Sequence, residues 1–182
     1  MRIGAGTSRG RRIRVPPGVR PTQERARSAI FNMLGERVRQ ARVLDLFAGA
    51  GTLGLEALSR GARWAVFVER APRAVRTLRA NLAEGGWEDQ GEVWPMDVFR
   101  ALVSLGRRGH RFDLVFLDPP YGTGLVERTL EALATSGLLA PGAAVVAESA
   151  VREAVQIPAG YEVVRDRRYG DTRVRILIWR GT

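Results

Sequence analysis

From Arg42 onward the chain alternates two kinds of segment, and this alternation restricts the fold more than any other feature. "RVLDLFA", "WAVFVE", "GEVWPMD", "FDLVFLD" and "GAAVVAE" are short apolar runs. Between them lie the amphipathic stretches "GTLGLEALSRG", "APRAVRTLRANLAEGG", "VFRALVSLGRRG" and "GLVERTLEALATSGLL". Near-continuous apolar runs suit strands covered on both faces, and strand–helix alternation builds βαβ units. The expected architecture is therefore α/β, a parallel sheet with helices on both sides. The tail "YEVVRDRRYGDTRVRILIWR" breaks the alternation and reads as two strands around "RYGDT", a hairpin that closes the sheet. At 182 residues and 45% hydrophobic content, the chain is long enough for one such domain with a real core.

Acidic residues end four of these runs in succession: Asp45, Glu69, Asp97 and Asp118. Ligands of open α/β sheets bind beyond the carboxyl ends of the strands, so four acids in register there predict a site. The last of them opens "DPPYGTG". Pro119 has no N–H for a sheet ladder and must stop the strand, leaving Asp118 at its end. Pro119 and Pro120 stiffen the backbone, and Tyr121 offers a flat aromatic face. Taken alone, the stretch also reads as a strand, a proline stop and a glycine turn.

The first run leads into "FAGAGTLG", where Gly49, Gly51 and Gly54 have the G-x-G-x-x-G spacing. Glu69 ends the next strand, 20 residues after Gly49. Strand, glycine turn, helix and placed acid together predict an adenosine-type ligand, its ribose hydroxyls held by the acid. Asp45, just before the glycines, would repel a pyrophosphate and suits a cationic ligand such as the amino group of S-adenosylmethionine (SAM). Asp97 is positioned to accept from an adenine amine, with Met96 covering the ring. Phe47 and Arg70 complete the expected cofactor set of Asp45, Phe47, Gly49, Gly51, Glu69, Arg70, Met96, Asp97 and Asp118. No lysine is present, which excludes a P-loop nucleotidase.

Charge points to the partner. The net charge is +10 and every basic residue is arginine. Residues 1–42 carry 11 arginines against two glutamates, and the remaining 140 residues are nearly balanced. Such asymmetry predicts a polyanion, nucleic acid before membrane. Within this block Ile13 and Val15 alternate with Arg12 and Arg14 as a short strand that Arg2 to Gly4 can pair. Thr22 reads as the N-cap of a helix burying Ala26, Ala29, Ile30, Met33 and Leu34. Cysteine is absent, which excludes disulfides and thiolate metal sites. The one histidine, His110, lies in a basic loop and reads as solvated. With no membrane-length apolar run and no signal-peptide core, the expectation is a soluble cytoplasmic protein, without metal and monomeric.

These residues resemble the Rossmann-like class I SAM-dependent methyltransferases, and "DPPY" is similar to the motif of enzymes that methylate exocyclic amines. "RGRRIRVPPGVRPTQERARSAIFNML", "LDLFAGAGTLGLEALSRGA", "LDPPY" and "RYGDTRV" together resemble the RsmD family across almost the whole chain. Members of that family methylate N2 of one guanine in 16S ribosomal RNA. The resemblance implies a seven-stranded, mostly parallel sheet whose last strand is antiparallel, preceded by a small basic extension of a short hairpin and a helix. It divides the chain into an RNA-binding extension, residues 1–40, and a SAM-binding domain, residues 41–182. It implies base flipping, with Asp118, Pro119, Pro120 and Tyr121 as the catalytic set. Tyr121 would stack on the guanine, while the Asp118 carboxylate and Pro119 carbonyl accept from the amine. Arg9, Arg11, Arg12, Arg20, Arg25, Arg167, Arg168 and Tyr169 are the RNA-binding candidates, with a 30S subunit or assembly intermediate as the expected substrate. The rival readings are a DNA adenine-N6 methyltransferase, a non-catalytic RNA-binding or assembly protein, and a nicotinamide-dependent oxidoreductase.

Overall fold

A computed structural model describes residues 1–17 and 21–181. Helix α1 (Pro21–Leu34) and a 3-10 turn (Gly35–Val38) precede the alternating unit. There follow β1 (Arg42–Leu46), α2 (Thr52–Ser59), β2 (Trp64–Val68), α3 (Pro72–Gly85) and β3 (Gly91–Trp94). Next come α4 (Val98–Arg107), β4 (Phe112–Leu117), α5 (Leu125–Ser136) and β5 (Leu139–Ala150). The chain ends in the hairpin β6 (Tyr161–Tyr169) and β7 (Thr172–Trp179).

The seven strands lie in the order β3-β2-β1-β4-β5-β7-β6. Only β7 runs against the others, pairing antiparallel with both β5 and β6. The two apolar faces follow from strand alternation. Val43, Phe67, Leu114, Phe116 and Val146 face α1, α2 and α3, and the N-terminal segment joins this layer through Ile3 and Ile13. Leu44, Val66, Val115 and Leu117 face α4 and α5. Strand order reverses between β1 and β4, which leaves a crevice at their carboxyl ends.

The basic N-terminal segment is more irregular than the expected hairpin. Arg2 and Arg12 form a single antiparallel bridge, supported by Ile3 N–H to the Arg11 carbonyl at 2.9 Å and Ile13 N–H to the Met1 carbonyl at 2.9 Å. The alternation itself holds: Ile13 is buried, while Arg12 and Arg14 are exposed. The segment docks on α2, because the buried Glu56 carboxylate accepts from Gly4 N–H at 2.9 Å and Ala5 N–H at 3.1 Å. Ile3 and Ile13 of this segment and Ile30, Phe31 and Leu34 of α1 thus share a core with the sheet. Helix α1 starts at Pro21, one residue before the expected cap, which suits proline's fixed φ and missing N–H. His110 is half-buried and stacks on Trp64 at 5.5 Å, contrary to the solvated reading. The starts of β2 and β4 present Trp64 and Phe112 side by side, and the imidazole packs on both.

Candidate active site

A cavity of about 670 Å³ opens at the carboxyl ends of β1 to β4. Nine of the residues expected there line it: Phe47, Glu69, Arg70, Met96, Asp97, Asp118, Pro119, Pro120 and Tyr121. The strand ends aim their following residues at one point, which explains why residues from four separate βα units converge.

Glu69 is fixed from two sides. Its Oε2 accepts from Gly49 N–H at 2.8 Å and its Oε1 from Ala71 N–H at 2.9 Å. Each carboxylate oxygen keeps a further lone pair, the arrangement a ribose diol needs. Asp97 caps α4, its Oδ1 accepting from Phe99 N–H at 3.0 Å and Arg100 N–H at 3.3 Å. Capping sets the carboxylate's orientation on the cavity wall beside Met96, Val98 and Phe99.

The glycine loop divides its work. Gly49 has φ +57°, and a Cβ there would meet nothing within 4 Å, so the backbone is open to a ligand. Gly51 has φ +85°, and a Cβ would lie 2.3 Å from Leu78, so it packs the loop rather than lining the cavity. Phe47 also sits at positive φ (57°), a backbone state that costs a non-glycine residue about 1–3 kcal/mol and gathers at functional sites. A cavity walled by an acid pair for a diol and amine and by an apolar slot, with the open Gly49 hydrogen-bonded to one of the acids, fits an adenosine cofactor.

Asp45, expected at the cofactor, sits apart from the cavity lining. It is buried, does not line the cavity, and accepts from Gly54 N–H at 3.0 Å. Alternation along β1 turns it under α2, where it holds an amide of the first helical turn. Burial raises its pKa well above the ordinary value, and Asp118 and Glu69 add to the rise. This bond joins β1 to α2.

Asp118 follows β4 directly. It is exposed by surface area and lines the cavity. Burial pushes its pKa up to about 6, against a hydrogen bond with Glu148 that lowers it. The following loop is braced: Gly122 N–H donates to Glu153 Oε2 at 3.2 Å, and Thr123 Oγ1 donates to the Pro120 carbonyl at 2.7 Å. The Tyr121 hydroxyl lies 2.6 Å from Thr172 Oγ1 of β7, with 39% of the residue exposed.

Around the mouth, Arg168 lines a second recess with Tyr121 and Arg152. Arg167 is exposed on β6, and Tyr169 is half-buried against the core. Arg9, Arg12 and Arg25 are exposed, whereas Arg11 donates to the Glu84 carbonyl at the end of α3 at 2.6 Å. Arg20 lies outside the described residues. The sequence reading passed over Gln23, Phe99, Leu125 and Arg128, which also line the cavity. It passed over Glu148 as well, although "GAAVVAE" ends in the same acid-after-apolar pattern as the four that were found.

Comparison with known proteins agrees with this geometry. The family model described as "Conserved hypothetical protein 95" matches residues 1–178. Ribosomal RNA small subunit methyltransferase D of Escherichia coli K12 is 37% identical over 179 residues, 97% of this chain and 88% of the relative. The solved structure of E. coli yhhF superposes with TM-score 0.89 at 35% identity, covering 100% of this chain and 99% of that one. A more distant likeness in fold is the Salinibacter ruber RNA methyltransferase in complex with S-adenosyl-L-homocysteine, with TM-score 0.68 at 22% identity, covering 90% of this chain and 95% of that one. With a family model spanning nearly the full length and a relative matched along almost all of it, the chain belongs to the Conserved hypothetical protein 95, or RsmD, family of methyltransferases.

Proposed function

We propose that this protein transfers a methyl group from SAM to the exocyclic N2 amine of a guanine in 16S ribosomal RNA. The observation that carries the reading is Asp118-Pro119-Pro120-Tyr121 on the same cavity wall as Glu69 and Asp97. An amine-methylating motif beside an adenosine site brings acceptor and donor together.

Glu69 would hold the ribose hydroxyls, Asp97 the adenine amine, and Phe47, Met96 and Phe99 the apolar surfaces. When bound, SAM supplies an electrophilic methyl group on a sulfonium. The chain's own task is alignment, which accounts for much of the rate in such transfers. The amine's lone pair is delocalised into the guanine ring. Asp118 and the Pro119 carbonyl, accepting its two N–H bonds, turn the lone pair toward the methyl. As the new N–C bond forms, the nitrogen becomes cationic and releases one proton. Asp118 stabilises that charge and, with a pKa pushed up to about 6, is suited to take the proton. Tyr121 stacks on the flipped base.

Residues 1–40 act as the RNA-binding extension, with Arg9, Arg12 and Arg25 on phosphates and Arg168 near the flipped base. The proposed substrate is a 30S particle or assembly intermediate. The same chemistry accounts for a cytoplasmic place of work, and among the described residues no helix is long and apolar enough to cross a membrane.

The test is methyl transfer from labelled SAM to naked 16S rRNA and to 30S particles lacking the modification, followed by digestion to nucleosides. Label in N2-methylguanosine, lost in Asp118→Ala, is the expected result. Label in N6-methyladenosine would keep the chemistry and overturn the substrate. Faster methylation of naked RNA would overturn the assembled-particle reading.

A further inference from the structure

The register of β4 and β5 ends at Leu117 opposite Ala147. Asp118, the residue just past β4, and Glu148 of β5 come next along this register, where neighbouring strands run about 5 Å apart. Their carboxyl groups are in hydrogen-bond contact. Two carboxyl groups can share such a bond only when one of them carries a proton. The surroundings decide which. Glu148 has Asp45 of β1 behind it as well as Asp118 beside it. Across β7 its register partner is the apolar Val174, and Arg167 lies one strand further, opposite Val174. Arg173 and Arg175 alternate to the other face, where both pair with Asp166. Glu69 bears on Asp45 from β2, and Gln23 of α1 and Tyr121 line the cavity beside Asp118. The charges bearing on Glu148 are thus negative, and burial disfavours its ionised form further.

We propose that Glu148 is a positioning residue: as the neutral acid it donates its O–H to one Asp118 carboxylate oxygen and so fixes the other toward the substrate amine. The pair then carries one negative charge instead of two, and the carboxylate cannot rotate away from the N–H it accepts. Loss of the Glu148 proton as pH rises breaks the bond, sets two like charges side by side and frees the Asp118 carboxylate. The inference rests on the reading of Asp118 as the amine's acceptor.

The experiment compares wild type, Glu148→Gln and Glu148→Leu as full-length protein. It uses 30S particles lacking the modification and labelled SAM, with kcat and KM measured from pH 5 to 10 and SAM affinity by calorimetry. Wild type should show a bell-shaped kcat. The Gln amide donates at every pH, so this variant should stay within about threefold of wild type at neutral pH and lose the alkaline decline. The Leu variant has no donor. Its kcat should fall about 10- to 100-fold with little change in KM, and its acidic limb should move to higher pH. An alkaline limb that persists in Glu148→Gln, or a Leu variant as active as wild type, would overturn the proposal. Should Glu148→Leu fail to bind SAM or to melt cooperatively, the Gln profile alone decides. Full activity in Asp118→Ala is a separate outcome: it removes the Asp118 reading, and the role of Glu148 with it.

Discussion

The hydroxyls of Tyr121 and Thr172 lie 2.6 Å apart although 51 residues separate them in the chain. The bond ties the Tyr121 ring of the "DPPY" loop to the first residue of the antiparallel strand β7. It gives the terminal "RYGDTRV" segment a function at the site, since Thr172 is buried and positioned by its pairing with Tyr169 and Ala150. Tyr121→Phe keeps the ring and loses the tether; Thr172→Val does the same from the other side. Each should lower kcat/KM by about 3- to 10-fold, and the double variant should be no worse than either, as expected for one shared interaction. Tyr121→Ala also removes base stacking, worth about 1–3 kcal/mol, and should cost about tenfold more. Additive losses in the double variant would mean the hydroxyls act independently.

Glu69 offers a sharp test of the cofactor site. Both its oxygens already accept backbone N–H groups, from Gly49 and Ala71. In Glu69→Gln the new amide nitrogen must meet one of those N–H donors, so the side chain rotates or the loop moves. SAM affinity should fall about 10- to 100-fold by calorimetry, with the melting temperature in the absence of SAM lowered by only about 2–4 °C. Undiminished affinity would take Glu69 out of the cofactor site.

Asp118 should cost stability as it supplies function. Its pKa rises from 3.8 to about 6 on folding, so the native state binds its proton more tightly than the unfolded chain. Stability therefore falls as pH rises from about 4 through 6, and the full cost is present above that window. Asp118→Asn, which cannot ionise, should be more stable than wild type at pH 8, and the gain should vanish below pH 4. Water in the cavity discounts the effect to about 1 kcal/mol, or about 2–4 °C in Tm for a chain of this size. Methyl transfer should drop at least about 100-fold in the same variant. Equal melting temperatures at pH 8 would mean the carboxylate stays hydrated.

The acids that follow a strand were legible from sequence because a strand's end is visible as the end of an apolar run. Glu69, Asp97 and Asp118 all reach the cavity for that reason. Asp45 does not line the cavity because it lies inside β1, where the side it faces depends on which helix packs there. Glu148 was passed over for a related reason: β5 continues two residues beyond it, so the run gives no stop to draw the eye. Gln23 and Arg128 reach the cavity from α1 and α5, and only tertiary packing brings them there. Thr172 is equally silent, since hydroxyl pairs across strands leave no local pattern.

The arginines of the N-terminal block separate into two groups, and salt dependence should tell them apart. Arg12 is exposed with its charge toward solvent, whereas Arg11 holds the Glu84 carbonyl and Arg14 pairs with the Glu84 carboxylate. Cations at a helix's C-terminal end satisfy its last carbonyls, so the second group anchors the segment to α3. If about five arginines meet phosphates, RNA affinity should fall with salt at a log–log slope near about −4. Arg12→Ala should bring that slope about one unit closer to zero. Arg11→Ala should instead lower the melting temperature by about 1–3 °C, with little change in slope. A slope near zero in wild type would remove residues 1–40 from the RNA interface. A slope lost through Arg11 and kept through Arg12 would mean the Glu84 contact yields to phosphate when RNA binds.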